Sequence, residues 1–147
     1  MAMGADASPA SQPRQDVLRA FDLLFKKDLE RVAATASPVD DAELAVKMLA
    51  AAKAVQDSPA LVRHMLEQVC ELGGKAPPGH AAAAKAAERL AAMEDPPSAA
   101  ALERMVDAHM VLFRSLPARE RPAMAQRVLD ELLALGNEFL AQGVMRR

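Results

Sequence analysis

Tryptophan and tyrosine are absent from this 147-residue chain, and aromatic side chains make up only 3% of it. Isoleucine and threonine are nearly missing as well. Residues that favour a pleated strand are therefore scarce, which argues against a sheet-rich fold. Cysteine occurs once, as Cys70. It cannot form an internal disulfide, and such usage points to a reducing compartment. The formal charge is only −2, so no global field draws the chain to nucleic acid or to an anionic membrane surface. No apolar run approaches the length of a membrane span. The opening residues, MAMGADASPASQPRQ, lack the basic start and apolar centre of a secretory leader. Together these absences predict a cytoplasmic protein with no membrane association.

What is present is alanine, leucine, valine and methionine, which supply most of a 52% hydrophobic content. These residues form or tolerate helices, so the expected fold class is all-α. The length is that of one ordinary domain. The alanine and arginine usage is of the kind a GC-rich bacterial genome encodes. Residues 1–13 are small, polar and proline-containing, and read as a disordered N-terminal tail. Residues 14–143 read as a single all-α domain, and 144–147 as a frayed C-terminal tail.

The stretch Ser58–Pro97 organises the rest. Ser58-Pro59 opens a helix, with serine as N-cap and proline at the first helical position. Gly73-Gly74 closes it, read as a glycine cap in the left-handed conformation. Pro77-Pro78-Gly79 turns the chain into an alanine-rich helix, about His80–Met93, that stops before Pro96-Pro97. Around this hairpin the apolar spacing predicts four more helices. The first spans about Arg14–Ala34 with a stripe of Leu18, Phe21, Phe25, Leu29 and Val32. The second starts at Ser37-Pro38 and buries Leu44, Met48, Ala52 and Val55. The third, from Pro59 to Leu72, buries Leu61, Met65, Val69 and Leu72, flanked by Leu66 and Cys70. The fifth, from Asp95–Ser98 to about Ser115, presents Leu102, Met105, Val106, His109, Met110 and Phe113. The sixth begins between Ala118 and Pro122 with Met124, Val128, Leu132, Leu135 and Phe139. It either ends at Gly136-Asn137 or runs on to Gln142. Short connections make antiparallel neighbours, so the expectation is about six antiparallel helices as three hairpins, either a helical bundle or a short array.

Two helical pairs share a pattern. Ser37-Pro38 to Leu72-Gly73 and Asp95-Pro96 to Leu135-Gly136 each read as proline-started helix, proline-marked turn, helix, then Leu-Gly. The offset is roughly 60 residues, longer than the usual helical-array period. Two helical pairs this rich in alanine and leucine can also match by chance. Over Ser58–Pro97 the hairpin resembles a tetratricopeptide-type repeat. AAAAKAAERLAAMEDPP is similar to that family's second helix, with small residues at Ala84 and Ala91 and a proline, Pro96, just beyond. The family's Trp, Leu-Gly and Tyr pattern has no match in the first helix, where Leu72-Gly73 falls at the end, and the Gly73–Gly79 loop is longer than the family's turn. The resemblance implies a scaffold that binds peptides or proteins on a concave face, and it assigns no binding residue.

The chemistry-bearing residues are sparse. His64, Glu67 and Cys70 are three apart on one helix, and His109 lies near Glu103 and Asp107. Neither set has the Glu-x-x-His pairs of a di-iron bundle or the ligand spacing of a zinc site, so no metal or cofactor is expected. His64 reads as a surface residue among polar neighbours. Cys70 sits near a helix C-terminus, which does not lower a thiol pKa. No glycine-rich phosphate loop is present. These observations lead to a non-enzymatic protein-interaction, scaffold or adaptor module with no catalytic residues. Its partner would be another protein or a further copy of itself. Nine methionines and thin alanine faces suit an adaptable apolar groove, placed between the third and fifth helices at Met65, Met105 and Met110. Self-association through the alanine-rich fourth helix is an equal use of a thin surface. The alternative is a small nucleic-acid-associated subunit that holds phosphates with Arg114, Arg119, Arg121 and Arg127 around the fifth-to-sixth turn. Nearby Glu120, Asp130 and Glu131, and the lack of Tyr or Trp platforms, favour a solvated turn there.

Overall fold

The computed structural model describes residues 14–141. Within them the chain forms an all-α bundle of six helices with no strand: α1 (Gln15–Ala33), α2 (Pro38–Ala52), α3 (Pro59–Gly73), α4 (His80–Ala92), α5 (Ala99–Ser115) and α6 (Arg121–Ala141). Short 3₁₀ turns at Lys53–Val55, Pro77–Gly79 and Ala118–Glu120 adjoin α2, α4 and α6. The tails expected at 1–13 and 144–147 lie outside the described residues.

From α2 onward each helix packs on the next, while α1 lies across α3 and α2, and α4 also reaches α2. The main core belongs to the first four helices. Phe21 and Phe25 of α1 tilt against each other with ring centroids 5.3 Å apart. Beneath them lie Leu44 and Met48 of α2, Met65, Leu66 and Val69 of α3, and Leu90 of α4. The expected stripe of α3 is buried, as is that of α2 except Val55, which is half-buried in the 3₁₀ turn beyond the helix. On α1 the stripe is rotated slightly, so that Val17 is buried and Leu18 only half-buried. His64, expected at the surface, is half-buried, and its ring meets the Phe21 ring edge-on at 4.6 Å.

The alanine helix is the middle of the molecule. Ala82, Ala83, Ala84, Ala86, Ala87 and Ala91 are all buried, and α2, α3 and α5 pack around them. A methyl group holds neighbouring backbones only slightly apart, so three helices approach α4 closely. This corrects the expectation that α4 serves self-association, because its thin faces are already used inside the fold.

Gly73 and Gly79 are also not what the sequence suggested. The residue after α3, Gly74, has φ −74° and ψ −10°, an ordinary right-handed conformation. The glycines are needed for contact instead. A Cβ on Gly79 would lie 2.7 Å from Gly73 Cα and Gly73 O and 2.9 Å from Ala42 Cβ. The turn before α4 is thus pressed directly onto the end of α3 and onto α2. Capping is likewise uneven. Ser37 Oγ accepts from Val39 N at 3.3 Å and Ser98 Oγ from Ala101 N at 3.1 Å. Ser58 offers no side-chain cap, contrary to expectation; its carbonyl instead accepts from Val62 N at 2.9 Å. Glu94 accepts a 2.7 Å hydrogen bond from Ser98 N. That backbone bond, against some desolvation, holds its carboxyl below the ordinary range.

α6 continues through Gly136 to Ala141. It packs on α5 and buries only Val128 and Glu131.

Gly79→Ala places a methyl inside a backbone contact that cannot yield as a side-chain end would. We expect a loss of about 1–3 kcal/mol in urea unfolding. A variant as stable as the parent would show that the Gly73–Gly79 contact does not constrain the turn.

Candidate functional site

The expected groove between α3 and α5 exists, and α4 causes it. Ala83 is too small to fill the space between its two neighbours, leaving a cavity of about 440 Å³ lined by Cys70 and Gly74 of the α3 end, by Ala83, and by Ala100, Arg104 and Ala108 of α5. Met65, Met105 and Met110 do not line it. Met65 is fully buried in the main core, and Met105 and Met110 are half-buried. The methionine groove is therefore corrected to an alanine-floored one. The Cys70 thiol contacts Ala83 O at 3.7 Å. Desolvation pushes its pKa up to about 11, despite the nearby Arg104.

The arginines at the α5–α6 turn are exposed, and two of them have partners within the fold. Arg127 Nη1 lies 3.3 Å from Glu88 Oε2 of α4. Arg121 sits over the Phe113 ring at 5.8 Å and donates to Leu116 O at 3.1 Å. Arg114 and Arg119 are exposed. Two of the four side chains are thus engaged with the protein itself.

A polar cluster that the sequence did not reveal joins α4, α5 and α6. His109 of α5 is fully buried. Its Nε2 lies 2.7 Å from Glu88 Oε2, and its Nδ1 lies 2.5 Å from Glu131 Oε1. Each contact needs a proton between nitrogen and oxygen. A neutral ring supplies one, so the ring carries both or Glu131 retains its own. Burial pushes the Glu131 carboxyl above its ordinary value, while the hydrogen bond and charge of His109 act the other way. Glu88 also bridges to Arg127. The partners are 21 and 22 residues from His109, and only the placing of a histidine among apolar residues hinted at them.

α6 carries the largest bare apolar surface. Leu129, Leu132, Leu133 and Leu140 are 55%, 45%, 69% and 62% exposed. Met124, Val128, Glu131, Leu135 and Phe139 are buried or half-buried on the opposite side. Leu132, expected in the core stripe, faces outward because Glu131 takes the position toward α5. The sequence did hold a signal. LDELLALGNEFLA has more leucines than one face can use, and Leu129, Leu133 and Leu140 form a second stripe at spacings of four and seven. No group of three metal-ligating side chains occurs among the described residues, and none of their helices is long and apolar enough to cross a membrane.

Removing His109 leaves Glu131 buried beside Glu88 without its partner. His109→Ala should cost about 3–5 kcal/mol, and amide exchange should accelerate in 121–141 well before it does in α2 and α3. Uniform acceleration would show that the cluster does not act locally. Glu131 also sets a pH dependence. Its folded pKa lies above the ordinary 4.5, so the folded state holds a proton that the unfolded chain releases. Its contribution is full below pH 4.5 and is lost as pH rises through the raised value. The stability gap between the parent and Glu131→Gln should narrow over that rise in urea titrations, and a widening gap would reverse the assignment.

Compared with known proteins, the chain matches no family model, no curated protein sequence and no solved structure.

Proposed function

We propose that this chain is a non-enzymatic protein-interaction module, cytoplasmic and bacterial, whose docking surface is the outward face of α6. The observation that carries the reading is the alignment of Leu129, Leu133 and Leu140 on one bare helix side, with Leu132 exposed at its edge. Their combined exposure exceeds that of two wholly exposed leucines. Covering it is worth about 3–6 kcal/mol. Single exposed apolar residues need no explanation, but an aligned set marks an interaction surface.

Other features support the same reading. The His109 ring is closed to solvent, and the Cys70 thiol is held protonated by burial, so neither group is placed for chemistry. One flank of the leucine face carries Gln126, Asp130 and Asn137 rather than the basic residues of a membrane-surface helix. The tetratricopeptide-type resemblance of Ser58–Pro97 also suits a protein partner, although the bare surface lies outside that stretch. Nucleic-acid binding through Arg114 and Arg119 is the competing reading, weakened by the internal engagement of Arg121 and Arg127.

A photoreactive residue at position 133, in cells of the natural host, should form protein adducts, while one at position 114 should form no nucleic-acid adducts. Leu133→Glu should weaken partner binding about tenfold or more, since a buried leucine is worth about 1.5–3 kcal/mol. Nucleic-acid adducts at position 114 with none to protein at 133 would transfer the function to the arginines.

A further inference from the structure

We infer that the occupant of the α6 face is α6 of a second copy of this chain, packed antiparallel. The inference rests on the reading of α6 as the docking surface and adds the partner and its orientation. The outward residues Leu129, Leu133, Gly136 and Leu140 follow one another at spacings of four, three and four. That is the spacing of a helix–helix seam. It is also symmetric about the point between Ala134 and Leu135. Reversing the helix exchanges Leu129 with Leu140 and Leu133 with Gly136. A two-fold contact uses the same patch on both copies and must be complementary to itself under that reversal.

Gly136 is the residue that decides orientation. Glycine weakens a helix interior, and α6 runs straight through it. Nothing lies within 4 Å of a Cβ built there, so no contact within the described fold calls for a glycine at this position. On the outer face it is a notch between Leu133 and Leu140. In an antiparallel pair, each Leu133 fills the notch at Gly136 of the second copy. In a parallel pair, glycine would face glycine and leave a void in the middle of the seam, which a packed interface avoids.

The other occupants fit less well. Within residues 1–13 the large apolar side chains are Met1 and Met3, too few to cover four leucines. The opposite side of α6 is committed to α5 through Val128 and Glu131, so pairing leaves the bundle intact. The seam is about three helical turns long, roughly 16 Å. It lies at the small end of the interface range, where association is weak and transient. A dimer with a dissociation constant on the order of 10 µM is therefore expected.

The test is sedimentation equilibrium of the full chain from about 1 to 500 µM, a range that brackets an affinity of this class. The expected result is a monomer–dimer equilibrium. Leu133→Glu should remain monomeric throughout, with an unchanged helical circular dichroism spectrum, because Leu133 is largely exposed. Orientation is read in a Cys70→Ala background. Leu129→Cys and Leu140→Cys proteins, mixed and mildly oxidised, should form the mixed disulfide, and neither should crosslink alone. A parent that stays monomeric throughout, or a Leu133→Glu protein that still dimerises, overturns the inference. Crosslinking of each single variant with itself overturns the antiparallel arrangement. If the parent is monomeric while position 133 still crosslinks to a different protein in cells, the second-copy inference fails and the docking surface stands.

Discussion

Close approach to the alanine helix is the constraint on which the rest of this fold depends. α4 presents methyl groups to α2, α3 and α5, and a methyl buries little area. The large side chains must therefore come from its neighbours. On one side they do: Met65, Leu66 and Val69 of α3 meet Leu90 and the α1 and α2 residues beneath Phe21 and Phe25. On the other side α5 offers Ala101, Leu102 and Val106. The same thinness that seats three helices around α4 leaves the cavity over Ala83 and a lighter attachment for α5 and α6. Burial is thus graded along the chain, and local opening follows such gradients.

The polar cluster makes sense against this gradient. α6 buries little apolar area on α5, and His109 with its two carboxylates ties α4, α5 and α6 together. A buried polar group is a costly way to gain stability, and its better-attested use is to fix register. Here the consequence is geometric. Successive helical residues are about 100° apart, so directing Glu131 at His109 determines where every other side chain of α6 points. Val128 and Leu135 turn inward with it, and Leu129 and Leu133 turn out. Without that anchor the helix has nearly equal apolar content on its two sides, and neither would be selected.

This explains what was legible in the sequence. α2 and α3 have one apolar stripe each, so their buried faces could be read from spacing alone. Proline and serine marked the helix starts, and the alanine run was visible as a helix. The contact between Gly73 and Gly79 was hidden, because glycine at a helix end has a common local explanation and its tertiary one requires Ala42 from another hairpin. His109 was visible as a histidine on an apolar side, but Glu88 and Glu131 are distant in sequence. The orientation of α6 could not be read because two stripes competed, and the winner was set by the buried hydrogen bond between His109 and Glu131. The methionine groove failed for a similar reason. Met65 is central to the main core, and the groove came from the lack of side-chain volume at Ala83 rather than from adaptable side chains.

The leucines of α6 differ in kind from the other bare apolar residues. Leu23, Leu24, Val39 and Val46 are exposed too, but they form one adjacent pair on α1 and two separate positions on α2, amid Asp22, Lys26, Asp40 and Lys47. A folded surface normally contains such isolated residues. α6 is instead the last described helix of a chain in which each helix after α1 packs on its predecessor. Successively packed helices remain soluble when the terminal one turns a polar outer face to water. α6 turns out Leu129, Leu133 and Leu140, with a glycine notch among them. Its outer side has the character of an inner one. Among the described residues, the packing that runs from α2 to α6 thus ends on a helix whose free side is apolar, and its outward positions 129, 133, 136 and 140 keep their spacing when the helix is reversed.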